Sequence, residues 1–209
     1  MGIMRVRAAS FKPSTCVLAG SRGVSLLELV VSVAIILIIS GMAMPTITRT
    51  LKSYQLNDAA NQLAGILKFT RFEAIRKNTP IRCMNSQAGA FAAASIWSDN
   101  DGDSVAESTE KQILLGPNAT LVAPGTVPST AALATAAGIP VLTAISPASD
   151  AVKFDQRGAV VASPSAVYVF YLGNPSDPSG YRAVIVLPSG AVQVWTYAGS
   201  AGSIWQRIS

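Results

Sequence analysis

The sequence contains no histidine, only two cysteines, and few charged residues for its length. Without histidine there is no imidazole general base, no Ser/His/Asp or Cys/His nucleophile system, and no imidazole ligand for a transition metal. No Ser/Lys dyad or carboxylate-pair motif takes their place, so we expect neither enzyme activity nor a cofactor. Only Cys16 and Cys83 are present, and if an N-terminal leader is cut away Cys83 has no partner within the chain, so we expect no disulfide framework. Charged residues make up 13% of the chain and apolar residues 50%, which is more typical of a membrane-linked or exported protein than of a cytosolic enzyme.

The net charge of +5 is distributed unevenly along the chain. Residues 1–23 contain four lysines and arginines and no acid. Residues 46–82 hold seven basic residues against two acids, a net +5, and residues 83–209 hold five against eight, a net −3. The pattern therefore indicates a basic leader, a basic stem and a mildly acidic head rather than a uniformly basic protein.

An apolar run from Val24 to Met44 contains a single charged residue, Glu28. As a helix rising about 1.5 Å per residue, the run covers roughly the 30 Å hydrocarbon thickness of a bilayer, and the basic leader predicts that residues before it stay cytoplasmic. Three interpretations fit the run. It is a secretory signal with Gly41-Met42-Ala43 as its cleavage site, a plain single-span anchor, or a helix whose acid has a partner.

The third interpretation explains why an acid is kept in an apolar helix. Cleavage after Gly23 would create a new α-amino group on Val24, four residues before Glu28. Glu28 of one subunit could then neutralise the terminal amine of a neighbouring subunit and set the register of helix packing. Pro45 lacks the amide hydrogen that an unbroken helix uses, so we expect a kink or loosening between Gly41 and Thr46.

The segment "RG" followed by "VSLLELVVSVAIILIISGMAMP" resembles a type IV prepilin leader, with Gly23, Glu28 and Pro45 in register. "LKFTRFEAIRKNTPIRC" at 67–83 and "VKFDQRGAVV" at 152–161 resemble the GspH/FimT family of minor pilins and pseudopilins. This resemblance implies cleavage after Gly23 by prepilin peptidase and N-methylation of Val24, which stands where the family usually has phenylalanine. It also implies an inner-membrane assembly platform and a filament shared with other pilins or pseudopilins.

The remainder predicts an α+β fold, in which a long N-terminal transmembrane helix continues into a stem packed on an antiparallel β-sheet head, and the resemblance implies that this fold is pilin-like. We assign 1–23 to the leader, 24–45 to the transmembrane segment, 46–80 to a periplasmic stem that ends at Asn78-Thr79-Pro80, and 81–209 to the head. Glu73 and Lys77 are placed to pair at i,i+4. The stem should bury an apolar seam of helical period: Leu56, Ala60, Leu63, Leu67, Thr70 and Ala74.

Short β-type runs separated by Gly, Pro, Asn and Asp fill the head, and "LPSGAVQV" predicts a hairpin. These runs are "IRCM", "AAASIW", "KQILLG", "AVKFD", "AVYVFYL", "YRAVIVLP" and "AVQVWTY". Residues 116–149, rich in Ala, Thr, Pro and Gly, predict an irregular insertion that is either a partner-binding loop or a variable surface loop.

The acidic segment "SDNDGDSVAESTE" partly imitates a calcium loop, with Asp99, Asp101, Asp103 and Glu110 as candidate ligands. However, Gly102 stands at the fourth position of that loop rather than the sixth, and no helices flank the segment. Aspartates and a glycine also suffice for a hairpin turn. We therefore predict no bound metal.

DNA binding is a second possible activity, because the FimT branch is linked to DNA uptake through a "GRxR" pattern. The corresponding "SGAVQVW" has Ala191 and Gln193 in place of both arginines, so the obvious phosphate donors are missing. Arg182 and Arg207 remain as cations. The aromatic residues Trp195, Tyr197 and Trp205 could stack on bases but are typical of a core or subunit interface. Similarly, Asp155 and Arg157 in "FDQRG" are better explained by a turn that uses Gly158 than by catalysis.

These features together predict a minor pseudopilin of a type II secretion system, with no nucleic-acid partner. The alternative is a FimT-like minor pilin of a type IV pilus, in pilus assembly or DNA uptake. In either case we expect a single-pass protein of the bacterial inner membrane, with a periplasmic head that later joins a filament.

Overall fold

Helix α1 is the longest element of the computed structural model, which describes residues 24–90, 92–116, 118–162, 166–174, 177–198 and 204–208. It spans Leu26–Lys77 and continues through Pro45 without interruption. The predicted bend around Pro45 stays a prediction. The chain divides into two compact units between Met44 and Pro45, and each is described by itself. The leader, residues 1–23, lies outside the described residues.

The described part of the first unit, residues 24–44, exposes every one of its side chains. By length and composition α1 qualifies as a membrane-crossing helix, and none of its most apolar stretch is buried within the protein. Residues 24–44 thus form no core of their own and need an apolar environment or partner. This agrees with the predicted membrane segment.

The second unit contains two β-sheets, where the sequence predicted one. The four-stranded sheet is antiparallel throughout, in the order β3-β2-β1-β6, with β1 at Ile81–Gln87, β2 at Ala94–Asp99, β3 at Gln112–Leu115 and β6 at Ser149–Phe154. The six-stranded sheet has the order β10-β9-β8-β7-β4, and β5 also pairs with β7, in parallel. Its strands are β4 Thr120–Leu121, β5 Thr143–Ala144, β7 Tyr168–Asn174, β8 Asp177–Val186, β9 Val192–Ala198 and β10 Ile204–Arg207.

The stem packs on both sheets through the seam that its helical period predicted. All six predicted positions are buried, and Ala59, Ala64 and Ile66 extend the seam. The same core takes inward side chains from both sheets, including Ile96 of β2 and Phe170 of β7. The helix ends at Lys77 as predicted, and Asn78 takes a left-handed conformation with φ 51°. The predicted target of the stem, its own head, is therefore confirmed.

A second core covers the opposite face of the six-stranded sheet. It includes Leu133 from helix α2, which spans Thr130–Ala137, and alternate residues of β8, Tyr181, Ala183 and Ile185. Segment 116–149 contains α2, a 3₁₀ helix at Pro124–Thr126, β4 and β5, short elements that the prediction of an irregular insertion did not include. Its Ala- and Thr-rich sequence forms the outer layer that closes this second core.

The seven predicted strand runs and the "LPSGAVQV" hairpin are confirmed, the hairpin by the pairing of Val186 with Val192. The predicted Glu73–Lys77 pair is not the one that forms. Glu73 instead pairs with Arg76, whose Nη2 donates to Glu73 Oε1 at 2.9 Å. Hydrogen bonding to Arg76 lowers the pKa of Glu73. Because residues three apart lie side by side on a helix, Arg76 reaches this carboxylate with a bidentate fork.

Candidate functional site

The start of α1 carries the predicted assembly acid. Val24 and Ser25 precede the helix, and the backbone amide of Leu29 donates to Ser25 O at 3.1 Å. Glu28 lies in the first turn, where the positive end of the helix dipole favours an acid. Its side chain is exposed, and its carboxylate has no hydrogen-bond or ion-pair partner among the residues that the structure describes. The helix dipole favours an acid in the first turn of any helix. It does not explain why the acid is kept where that turn begins an apolar segment.

Val24 and Glu28 are four residues apart, and if the helix extended back to Val24 they would lie about one helical turn, or roughly 6 Å, apart along the axis. A terminal amine on Val24 and this carboxylate would therefore form a compact pair of opposite charges at one end of an otherwise apolar segment. Such a pair on each copy allows two copies to exchange partners when their helices pack side by side. Gly23 lies outside the described residues, so the cleavage site, the methylated terminus and the pairing stay predictions.

Arg182 is a residue whose role the sequence did not reveal. It lies on β8 and, by strand alternation, shares the stem-facing side with Val184 and Val186. Arg182 is 5% exposed, and its guanidinium donates from Nε to Asn57 Oδ1 at 2.7 Å and from Nη2 to Ser53 Oγ at 3.0 Å. Burial lowers the pKa of Arg182. This arginine ties the stem to the head and is not available to bind DNA phosphates.

The second tie between stem and head is formed by Arg71 and two tight turns. Arg71 Nε donates to Gly158 O at 2.9 Å, and Val160 N donates to Pro188 O at 2.9 Å, so the turns after β6 and β8 meet at the stem. Asp155 Oδ1 accepts from the amides of Arg157 and Ala159, which confirms that "FDQRG" is a structural turn. Gly158 and Gly190 have φ 78° and 76°. Their positive φ and their close packing are both satisfied by glycine.

The acidic loop between β2 and β3 lies beside a positively charged side chain, Arg82 of β1. Asp99, Asp101 and Asp103 each place an oxygen within 4.8 Å of the others. Arg82 Nη2 lies 2.7 Å from the buried Asp99 Oδ2 and also donates to Gly102 O at 2.7 Å. Arg82 Nη2 and Asp99 Oδ2 are not aligned for a hydrogen bond, but opposite charges this close still attract each other. Arg82 thus places a positive charge beside Asp99, one of the candidate calcium ligands, and the absence of a metal stays a prediction.

The carboxylate of Glu110 also accepts a hydrogen bond from the backbone of the same loop. Glu110 is 7% exposed, and its Oε1 accepts from the amide of Asn100 at 2.6 Å, while Oδ1 of Asp99 accepts from Gly102 N at 2.7 Å. Asp103 Oδ1 accepts from Val105 N in the same way. The carboxylates satisfy backbone donors of a tight turn, as the sequence interpretation of a hairpin tip requires.

The aromatic residues proposed as base-stacking candidates belong to the second core. Trp195 and Trp205 are 7% and 2% exposed, and Tyr197 packs on Trp205 with ring centroids 5.4 Å apart. Trp205 Nε1 donates to Ser129 O at 3.2 Å, which anchors α2 to β10. Arg207 on β10 is exposed and is paired in the sheet with the buried Trp195. Because the rings of Trp195 and Trp205 are packed inside this core, they are not available to stack on bases.

Cys83 is buried in the stem-facing core and forms no disulfide. Burial raises its pKa to about 12, although a hydrogen bond with Thr70 opposes this. We expect Cys83 of the native protein, in a Cys16→Ser background, to resist thiol reagents at pH 8 and to react fully after unfolding. Because the pKa is raised from 9.0 in the folded state, its stabilising effect is complete below about pH 9 and declines towards pH 12.

The measurement for Cys83 is denaturant unfolding between pH 8 and 11, compared with a Cys83→Ala variant. The free energy of unfolding should fall more steeply with pH when the cysteine is present. Equal slopes, or rapid labelling of the native thiol, would contradict the buried position.

Comparison with known proteins completes the description of the site. The family described as type II transport protein GspH matches residues 59–190. The matched residues include Arg71 and Arg182, which connect the stem to the head, but not Ser53 and Asn57, the partners of Arg182. The type IV minor pilin FimU of Pseudomonas aeruginosa strain PAO1 is similar in structure, with 16% identity and a TM-score of 0.41, over 71% of this chain and 92% of that one. No curated protein sequence matches the chain.

Proposed function

The chain belongs to the GspH family and is thus a pseudopilin or minor pilin, and on that premise we propose that it is a minor pseudopilin of a type II secretion system. The observation that carries the proposal is the contrast between its two units. The second unit closes its own core, whereas residues 24–44 are all exposed and include Glu28, whose carboxylate has no partner among the described residues. An exposed apolar helix with one acid suits a subunit that leaves the bilayer to pack against neighbouring helices.

In the proposed pathway the basic leader stays in the cytoplasm and the head is exported to the periplasm. Prepilin peptidase cuts after Gly23, the amine of Val24 is methylated, and an inner-membrane platform draws the helix into a filament with other pseudopilins. In the bilayer the acid is costly on its own, but beside a neighbour's terminal amine it becomes half of an ion pair. The same charge therefore favours assembly over the isolated membrane state.

The secretion machine is preferred over the pilus because the residues that would bind DNA are absent or occupied. Ala191 and Gln193 replace the arginines of the FimT pattern, and Arg182 is buried against Ser53 and Asn57. The alternative, a FimT-like minor pilin of a type IV pilus, would need another basic surface for DNA uptake.

Deletion of the gene separates the two functions. We expect loss of type II export, with the cargo protein retained in the periplasm, while pilus number and DNA uptake stay unchanged. In a mobility-shift assay at physiological salt, the purified protein in detergent should show no DNA binding below about 10 μM, since non-specific contacts alone give weak, salt-sensitive affinity. Submicromolar DNA binding, or a loss of pili with normal export, would reverse the order of the two proposals.

A further inference from the structure

The last three turns of α1 expose apolar side chains beside a cation. Lys68, Phe72 and Ile75 lie on one helical face, because residues three and four apart stack on a helix. Phe72 is 64% exposed and Ile75 is 41% exposed, and Lys68 is exposed as well. The buried seam of the stem occupies the opposite side of the helix, so packing on its own head does not explain this apolar face.

The turn after β6 extends the exposed face of the helix. An alanine Cβ at Gly158 would lie 2.7 Å from Ile75 Cδ1, so the turn abuts the helix there. The hydrogen bond from Arg71 Nε to Gly158 O holds the turn in place, and the exposed Arg157 stands next to that glycine. We call the following residues the basic surface: Lys68, Arg71, Phe72, Ile75 and Arg157.

The cations of the basic surface retain binding capacity. Lys68 and Arg157 form no side-chain hydrogen bond or ion pair with any residue that the structure describes, and Arg71 uses only its Nε. The nearby acids are engaged elsewhere, since Glu73 is paired along the helix and Asp155 Oδ1 accepts two backbone amides of its own turn. The basic surface therefore carries an excess of positive charge that an acidic partner would complement.

The arrangement favours an acidic protein surface over a nucleic acid. Apolar and aromatic side chains at the centre, with charges at the rim, are the anatomy of a protein–protein interface. A single-stranded nucleic acid could stack a base on Phe72, but Ile75 has no aromatic ring to continue the stack. The carboxylate of Asp155, in the adjoining turn, would also repel phosphates.

A second copy of this chain is a poor match for the basic surface. Its acidic loop leaves the four-stranded sheet at the same end as the turn after β6, because Asp99 and Lys153 are both cross-strand neighbours of Arg82. The acidic loop and the basic surface are therefore not arranged to alternate along a filament. Ile75 lies about 45 Å along α1 from Pro45, at the end of the stem where a different subunit can reach it.

We propose that the basic surface docks an acidic surface of a different subunit of the same filament. Phe72 and Ile75 pack on an apolar side chain of that partner, and the cations at positions 68, 71 and 157 face its carboxylates. The inference rests on the proposed function, because it needs a filament that contains other pilins or pseudopilins. It goes beyond that function in placing a contact at the end of the stem, far along the chain from the apolar segment 24–44.

Photo-cross-linking of the full-length chain, in the cells that produce it, tests the contact. A photoreactive benzoylphenylalanine replaces Phe72, or replaces Thr135 in the matched control. Thr135 is exposed on α2, which covers the face of the six-stranded sheet that is turned away from the stem. We expect position 72 to cross-link to another pilin or pseudopilin through a peptide that contains aspartate or glutamate. Its yield should be at least about tenfold above that of position 135, because the centre of an interface is closely packed against the partner.

Charge reversal then separates a specific contact from chance collision. With the photoreactive group at position 72, Lys68→Glu together with Arg157→Glu should reduce the product about tenfold, because like charges then face each other. Lys111→Glu together with Arg207→Glu makes the same change in net charge at exposed positions elsewhere, and should leave the yield within about twofold. Changing the contacted acid of the partner to lysine should restore the product of the first double variant.

Resistance of the buried Cys83 to thiol labelling, in a Cys16→Ser background, verifies that each variant is folded. The proposal is overturned by nuclease-sensitive cross-linking to DNA, by cross-linking to a second, differently tagged copy, by a partner peptide without acids, or by equal yields from the two double variants. N-terminal processing and export are measured in the same cells. Normal processing and export without the cross-link would refute this contact alone, whereas a chain that keeps Met1 would refute the proposed function.

Discussion

Replacing Glu28 by alanine should leave membrane insertion intact and reduce filament assembly by about 100-fold or more. Insertion survives because the change removes an acid that costs up to about 3 kcal/mol in a membrane helix. Assembly suffers because the partner amine is left unpaired, and removal of one member of a buried ion pair typically costs about 3–5 kcal/mol. The measurement is the ratio of the chain in sheared filaments to the chain in carbonate-washed membranes.

Two variants sharpen this comparison. Ser32→Ala removes the hydrogen bond from Ser32 Oγ to Glu28 O, at 2.7 Å, but keeps the acid, so assembly should stay within about twofold of the parent. Glu28→Gln keeps the shape and removes the charge, and should behave like the alanine variant. Unaltered assembly of Glu28→Ala would show that the carboxylate serves only the helix dipole.

Replacing Gly190 by alanine should destabilise the second unit by about 3 kcal/mol or more. The backbone has φ 76°, and an added Cβ would lie 1.9 Å from Gly158 O and 2.7 Å from Arg71 Nε. Arg71 can rotate away, but the carbonyl belongs to the backbone of the facing turn, so both turns must shift. The measurement is denaturant unfolding of the full chain in detergent.

Gly138→Ala is the matched control for this prediction. Gly138 has a similar φ of 68° at the end of α2, but a Cβ there would meet nothing within 4 Å. Only the strain of the left-handed conformation remains, so we expect a loss of about 1 kcal/mol. If the two variants lose equal stability, positive φ rather than the close approach of the two turns explains why glycine is needed at position 190.

Local periodicity predicted the parts of the fold that depend on local sequence. The stem seam follows a helical repeat because its apolar residues meet one continuous core, and all six predicted positions are buried. The hairpin at Gly190 was visible because a Pro-Ser-Gly turn joins two alternating runs. Association with the GspH/FimT family also rested on short motifs, and the family match over residues 59–190 confirms it.

The features that sequence missed depend on distant residues. Helix α2 has no side-chain cap at Ser129, and it is held by burial of Leu133 and by the bond from Trp205, which lies 76 residues away. The separation of the strands into two sheets is likewise set by pairings between distant segments. Arg182 had one local signal: it shares its strand face with Val184 and Val186. An arginine at a core position predicts a buried partner, but its partners Ser53 and Asn57 lie on another element.

The acidic loop has the aspartates of a calcium loop, but its surroundings include a cation that the loop sequence does not show. Its aspartates do converge as a calcium loop would require, within 4.8 Å of one another. Arg82, from the neighbouring strand, places a positive charge 2.7 Å from Asp99 Oδ2. Because the register of the sheet sets cross-strand neighbours, the position of Arg82 beside the loop could not be predicted from the loop sequence alone.

The central claim is that cleavage after Gly23 creates an α-amino group on Val24, with which Glu28 of a neighbouring subunit can pair. N-terminal sequencing of the membrane-extracted protein, together with its intact mass, tests it most directly. The account predicts a chain that begins at Val24 and carries one added methyl group. A chain that begins at Met44 would identify a secretory signal, and an uncut Met1 would identify a plain anchor; either result would contradict the account.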